Sequence, residues 1–300
     1  KMNICDWKNY DKNLNQIINK IKSNKNIIEP FLILSLVDDL KIQKKVAEDY
    51  VKKFISNKSL KKLKSKNSFP KIAYFSPDFS DHPVLRLMED TFKNHNKKEF
   101  EFYAFSFGLK SRNKSHYNIK KYFKEFKYID NISDNNVAKM CKDIGIDIAI
   151  DLCGHTAENR IGIFSNRVSD IQINYLGYPG SIGADFVDYI IADECIIPKK
   201  DRDKYTEKVL YLPNCYQSNP KKVIISNEYV KKSDYKLPEN KFIFCSFNNH
   251  NKITPIIFKC WMKILSRSKD SVLWLYVTND IARKNILIEA SKNNVSSDRI

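Results

Sequence analysis

Three hundred residues, 42% of them hydrophobic and 12% aromatic, are enough to bury more than one core, so two domains are expected. No run approaches the roughly 18 to 20 consecutive apolar residues of a membrane helix, and the most apolar early stretch, Phe31 to Val37, is closed by Asp38 and Asp39. The net charge of +17 raises the question of a nucleic-acid partner, but only eight of the 52 basic residues are arginine and the lysines are spread through every segment, so a compositional bias accounts for it and nucleic acid is not expected.

The first sixty or so residues read as helical. Leu14, Ile17, Ile18 and Ile21 form one apolar stripe, and Ile42, Val46, Tyr50 and Phe54 form another. Ser59 to Ser68 is basic, polar and aperiodic, and it reads as a linker ending at Pro70, so residues 1–68 are taken as a helical lead-in. No apolar stretch behind a charged start suggests a secretory signal.

From Lys71 short apolar runs alternate with amphipathic stretches. Lys71 to Ser76, Glu99 to Phe107, Ile146 to Asp151, Ile171 to Leu176 and Val187 to Asp193 read as strands. Val84 to Lys93, Asn113 to Lys124, Asn135 to Ile144 and Ala157 to Asn166 read as helices between them. That alternation predicts parallel βα units with helices on both faces of a sheet, a Rossmann-like lobe over residues 70–225. After Val209 to Pro213 and a polar stretch, a second cycle begins: strand Phe242 to Phe247, helix Thr254 to Leu265, strand Ser271 to Val277, helix Ile281 to Lys292. Two strands are too few for a doubly wound domain, so residues 240–300 read as the start of a second lobe. No internal repeat is visible. The seven cysteines are scattered with no C-x-x-C pair, a pattern of reduced thiols that argues for a cytoplasmic setting and against a structural zinc.

In parallel α/β domains ligands gather at the carboxyl ends of strands, and four loops there are unusual. Ser76 to Pro83 places His82 between two prolines, either as a general base or as a surface hydrogen-bonding residue. Asp151 to Thr156 offers Asp151 and His155 as a carboxylate–imidazole pair, or as caps of the next helix with Thr156 at its start. Leu176 to Gly183 carries three glycines that permit a tight backbone path but no dinucleotide fingerprint. Phe247 to Pro255 presents Lys252 ahead of Thr254 and Pro255, a helix start where a diphosphate could be held, unless the loop is merely solvated.

Taken together, FSPDFSDHPV, DLCGHTAENR, INYLGYPGSIGADFVDYIIAD, YTEKVLYLPNCY and FCSFNNHNKITP, in that order, resemble the catalytic region of the O-linked N-acetylglucosamine transferase and Spindly-like family. CDWKNYD and PFLILSLVDD resemble the helical segment that precedes it. The resemblance implies an α/β fold of the GT-B type, here one complete Rossmann-like domain and the start of a second behind a short helical segment. It implies an inverting transfer of N-acetylglucosamine from UDP-GlcNAc to Ser or Thr of polypeptides, with no metal or other cofactor, no membrane partner, and tetratricopeptide repeats upstream. By the family's pattern His82 corresponds to the proton acceptor, Asn249 and Lys252 to contacts with the nucleotide diphosphate, and Asp151 and His155 to a second polar cluster near the reaction centre. One departure from the resemblance is that the family usually has glutamine and an aromatic ring in the segment that reads Asn249-His-Asn251 here. Asp201-Arg-Asp203 meets the D-x-D pattern of metal-dependent transferases but lies in a charged stretch after a proline, and is expected to cap a helix. A fucosyl or other hexosyl donor, and a basic binding or scaffold role without catalysis, stand as alternatives.

Overall fold

The computed structural model describes residues 1–25, 28–54, 68–108, 118–221 and 225–300. They fall into two compact units, Ile18–Val223 and a second made of Lys1–Ile17 together with Ile224–Ile300. The helical lead-in is thus shared between the units, and most of its basic linker lies outside the described residues.

The larger unit is a seven-stranded sheet, parallel at every pairing, in the order β3-β2-β1-β4-β5-β6-β7. The strands are β1 (Lys71–Ser76), β2 (Glu101–Ser106), β3 (Glu125–Tyr128), β4 (Ile148–Asp151), β5 (Ile171–Asn174), β6 (Tyr189–Ala192) and β7 (Lys208–Tyr211). Alternation along β1 shows how both faces are filled: Ala73 and Phe75 enter one core, while Tyr74 enters the other. On the Phe75 side pack the helices Leu40–Val51, Asp134–Ile144 and Ile161–Ser165. The opposite side is closed by helix Pro83–Lys93, through Val84, Leu85, Met88 and Phe92.

Two elements differ from the sequence reading. The helix expected over Asn113 to Lys124 starts outside the described residues, and its end is a 3-10 turn, Lys120–Tyr122, leading into β3. The sequence of β3, EFKY, has no apolar run because it is an edge strand with exposed or half-buried side chains. The helix expected over Ala157 to Asn166 begins only at Ile161, because Gly154 and Glu158 take left-handed backbone angles and Arg160 turns away to bind Ile129 O, Ile132 O and Asp134.

The second unit has a parallel pair, β8 (Phe242–Ser246) and β9 (Ser271–Leu275), joined by helix Pro255–Arg267 and followed by helix Asp280–Lys292. Its core is built on Phe258, Met262, Leu265, Leu273, Ala282, Ile286 and Ala290, and it takes in Cys5 from the N-terminal segment with Trp7 packed against it. Arg299 secures the end of the chain by donating to the carbonyls of Leu265, Ser268 and Ser271. Among the described residues no helix is long and apolar enough to cross a membrane.

Candidate active site

The strand order turns at β1 and β4: the chain runs outward from β1 through β2 and β3, then returns to lay β4 on the other side of β1. Loops leaving two such neighbours diverge to opposite faces and open a crevice at their carboxyl ends. Phe75 and Asp151 are register partners there, so the SPDFSDHP loop after β1 and the LCGHT loop after β4 emerge side by side.

The β1 loop is fixed before its histidine is reached. The Ser76 hydroxyl is buried and accepts from the Asp78 amide at 2.9 Å, and Phe79 plugs the core at 1% exposure. His82 then adopts extended angles and caps helix Pro83–Lys93, its Nδ1 accepting from the Val84 amide at 3.3 Å, with Pro83 at the first helical position. An Asp78 carboxylate oxygen lies 3.6 Å from the same Nδ1. The ring stays 43% exposed, with Nδ1 turned to protein. Two tautomers are served by this arrangement: a proton on Nε2 leaves Nδ1 to cap the helix, and a proton on Nδ1 faces Asp78 and frees Nε2 as a base. Asp78, four residues before His82 within one loop, is the partner that reading the sequence did not single out.

Asp151 and His155 do not pair with each other. Buried Asp151 accepts from the amides of Cys153 and Gly154, closing the turn that Gly154 permits at φ +56°. Desolvation pushes its carboxyl up to about 6, partly offset by those two amides. Buried His155 lies with its ring against Tyr50 and Tyr178, both edge-on, and donates from Nε2 to the Ile182 carbonyl at 2.9 Å. Burial brings its pKa down to about 4, so it is a neutral imidazole that ties the β4 loop to the glycine-rich loop. Thr156 does not cap the short helix Ile161–Ser165, whose N-cap is Arg160; its hydroxyl donates to the Cys153 carbonyl.

Two of the three glycines of Leu176 to Gly183 are explained by the protein's own backbone, and Gly180 by the Tyr178 ring packed against it. A Cβ on Gly177 would stand 2.1 Å from the Leu152 carbonyl oxygen, and one on Gly183 would stand 2.5 Å from the Glu48 amide. Buried Glu207 anchors the same loop, accepting from the Ser181 hydroxyl at 2.7 Å and the Ile182 amide at 2.6 Å, and burial raises its pKa. Glu207 falls within YTEKVLYLPNCY, but nothing in the sequence assigned it a role in this floor.

Asn249 and Lys252 lie in the second unit, on the turn between β8 and helix Pro255–Arg267. Asn249 caps the 3-10 turn His250–Lys252 by accepting from the Asn251 amide, and both Asn249 and Lys252 are exposed. Thr254 caps the following helix through Oγ1, which accepts from the Ile257 amide, and Pro255 starts it, as the sequence predicts. Asp201 and Asp203 sit in a 3-10 turn, Lys199–Lys204, where Asp203 is paired with Lys204.

The chain matches the family model described as glycosyl transferase family 41 over residues 4–224 and 217–300. Among curated proteins it is similar to the probable UDP-N-acetylglucosamine–peptide N-acetylglucosaminyltransferase SEC of Arabidopsis thaliana, with 34% identity over 235 residues, covering 77% of this chain and 24% of that protein. The probable transferase SPINDLY of Solanum lycopersicum is 30% identical over 207 residues, covering 65% of this chain and 21% of that protein. Among solved structures, a mutant of the O-GlcNAc transferase of Thermobaculum terrenum superposes with a TM-score of 0.77 at 20% identity, over 87% of this chain and 50% of that one. That likeness shows the shared α/β fold of the GT-B type. The chain spans about a quarter of the length of these curated relatives.

Proposed function

The chain belongs to glycosyl transferase family 41, and from that premise we propose that it serves a protein O-glycosyltransferase moving N-acetylglucosamine from a UDP-linked donor to Ser or Thr hydroxyls with inversion. The observation that carries the reading is the Asp78–His82 pair at the mouth of the β1–β4 crevice, within a chain the family model matches over residues 4–300. With its Nδ1 proton turned to Asp78, His82 takes the acceptor hydroxyl proton on Nε2. The oxygen attacks the anomeric carbon from the face opposite the nucleotide, and the bond to the β-phosphate oxygen breaks with its electron pair leaving on UDP. Lys252 and the start of helix Pro255–Arg267 offset the charge that develops on the phosphates, a stabilisation that needs no proton transfer and no metal. Asp151 and His155 act as positioning residues, one shaping the β4 loop and the other fixing it to Ile182.

In the full-length protein, His82→Ala is expected to lower kcat by about a hundredfold or more, the range of a lost general base. Lys252→Ala is expected to lower kcat/KM for the nucleotide sugar by at least about tenfold, roughly 1.4 kcal/mol, with the fold intact. Transfer is measured with a panel of nucleotide sugars, with and without EDTA. Turnover of GDP-fucose in place of UDP-GlcNAc overturns the donor assignment, loss of activity in EDTA overturns the metal-free scheme, and activity of Lys252→Ala within about threefold of the unsubstituted protein overturns the phosphate role.

A further inference from the structure

The turn that presents Lys252 has little to hold it. A three-residue 3-10 turn has poor intrinsic stability, and of His250, Asn251 and Lys252 only His250 is buried. Its backbone closes on itself twice, Lys252 N to Asn249 O at 3.0 Å and Ile253 N to His250 O at 3.1 Å. The Asn249 side chain adds a third local bond, accepting from the Asn251 amide, and Ile253 anchors the turn's end in the core; a further hold comes from the far end of the sequence. His250 Nε2 donates to the Asn3 carbonyl at 2.9 Å, across 247 positions. In return the Cys5 thiol donates to the His250 carbonyl at 3.6 Å. Burial keeps that thiol protonated, pushing its pKa up to about 11.

The N-terminal segment is itself secured from a third side. Asn285, on helix Asp280–Lys292, donates its amide to the Ile4 carbonyl at 2.8 Å. Trp7 packs at a tilt against Phe258, ring centroids 5.1 Å apart, one turn into the helix that Thr254 and Pro255 begin. Met2–Ile4 forms a 3-10 turn that ends at Cys5 in a left-handed conformation, φ 49°, which points the Cys5 side chain into the core at 2% exposure. Residues 2–7 therefore form a strap across the turn that carries Asn249 and Lys252, with His250 as the peg.

We infer that His250 is a positioning residue for nucleotide binding, and that it acts by pinning the Asn249–Lys252 turn to the Met2–Trp7 strap, so that a segment lying before the first lobe in sequence sets donor affinity. The inference rests on Lys252 meeting the diphosphate, as proposed above. An ammonium on a four-carbon stem is placed only as well as its backbone is, and this backbone is fixed by a hydrogen bond to a carbonyl that side-chain substitution in the strap cannot remove.

The test measures the Kd for UDP in the full-length protein, together with its melting temperature and the KM for an acceptor peptide. His250→Leu is expected to weaken UDP binding about tenfold, the scale of one well-placed hydrogen bond, with acceptor KM unchanged. His250→Gln, whose terminal amide reaches the place of Nε2, is expected to stay within about threefold of the unsubstituted protein, less than that one hydrogen bond is worth. Asn285→Ala loosens the strap from its other side and is expected to weaken UDP several-fold, and the double variant should be no weaker than His250→Leu because both act through one segment. Unchanged UDP affinity in His250→Leu and Asn285→Ala, beside a weakened Lys252→Ala, overturns the strap and leaves the phosphate role standing. Unchanged affinity in Lys252→Ala overturns the phosphate role, and with it any positioning role for His250. Should His250→Leu fail to fold, Asn285→Ala decides alone.

Discussion

At the scale of single residues, three of the five histidines do different work in different surroundings, and only their neighbours explain the difference. His82 is half exposed and faces a carboxylate; His155 is buried between two tyrosines with one carbonyl; His250 is buried against the N-terminal strap. Charged groups divide the same way. Buried Arg167 binds both oxygens of Asp188 and the carbonyls of Phe186 and Asp170, joining the end of the β4–β5 crossover to the approach to β6. Arg167→Ala would leave the half-buried Asp188 carboxylate without its cation, although the Gln172 amide still reaches it and the Gln172 side chain still reaches the Phe186 carbonyl, and a loss of about 3 to 5 kcal/mol is expected, read as a lower urea midpoint at constant m-value. A loss under about 1 kcal/mol would mean that the site refills with water and that the pair behaves as a surface one.

At the scale of elements, the strand-end loops owe their shape to close backbone approach as much as to side chains. Gly177 is the sharpest case, since the atom a Cβ would meet is a main-chain oxygen of the neighbouring loop, which no side-chain rotation can relieve. Gly177→Ala is expected to destabilise the larger unit by about 1 to 3 kcal/mol and to separate the β4 and β5 loops. Chemical denaturation measures the first, and a fall in kcat of the full-length protein measures the second. Thr254→Ala should cost about 1 kcal/mol of local helix stability, seen as faster amide exchange in the first turn of helix Pro255–Arg267 and not elsewhere. The elements themselves were legible from periodicity wherever one face is buried. Edge strand β3 was not, because its partly exposed EFKY sequence carries no strand signal of its own.

At the scale of the whole molecule, the larger unit carries buried titratable groups that tie its stability to pH. His95 in the larger unit is stacked on Phe102 at 3.9 Å and meets the Tyr74 hydroxyl at 3.0 Å, and burial brings its pKa down to about 4. An unfolded imidazole takes up its proton near 6.5 and the folded one only near 4, so its stabilising contribution is complete above 6.5 and is lost as pH falls through that window. His155 acts in the same direction, while Asp151, raised to about 6 from 3.8, acts in the opposite one. Because these partly cancel, the effect of His95 is best read by difference: His95→Phe should gain on the unsubstituted protein between pH 6.5 and 4 by up to about 1.4 kcal/mol per pH unit. A constant difference across that range would show that His95 titrates normally in the fold. The sequence by itself determined the alternating βα order and the α/β class, because hydrophobic period and glycine, proline and cap residues act over neighbouring positions. Only the tertiary structure decided that Asp78, not Asp151, faces an imidazole, that Glu207 anchors the glycine-rich loop, and that residues 2–7 belong beneath His250. Asp78 and His82 are only four residues apart, yet which way the two side chains turn was fixed by the capped helix and the buried Phe79. The other two depend on contacts across 26 and 247 positions, set by how separate segments pack, and no local pattern encodes them.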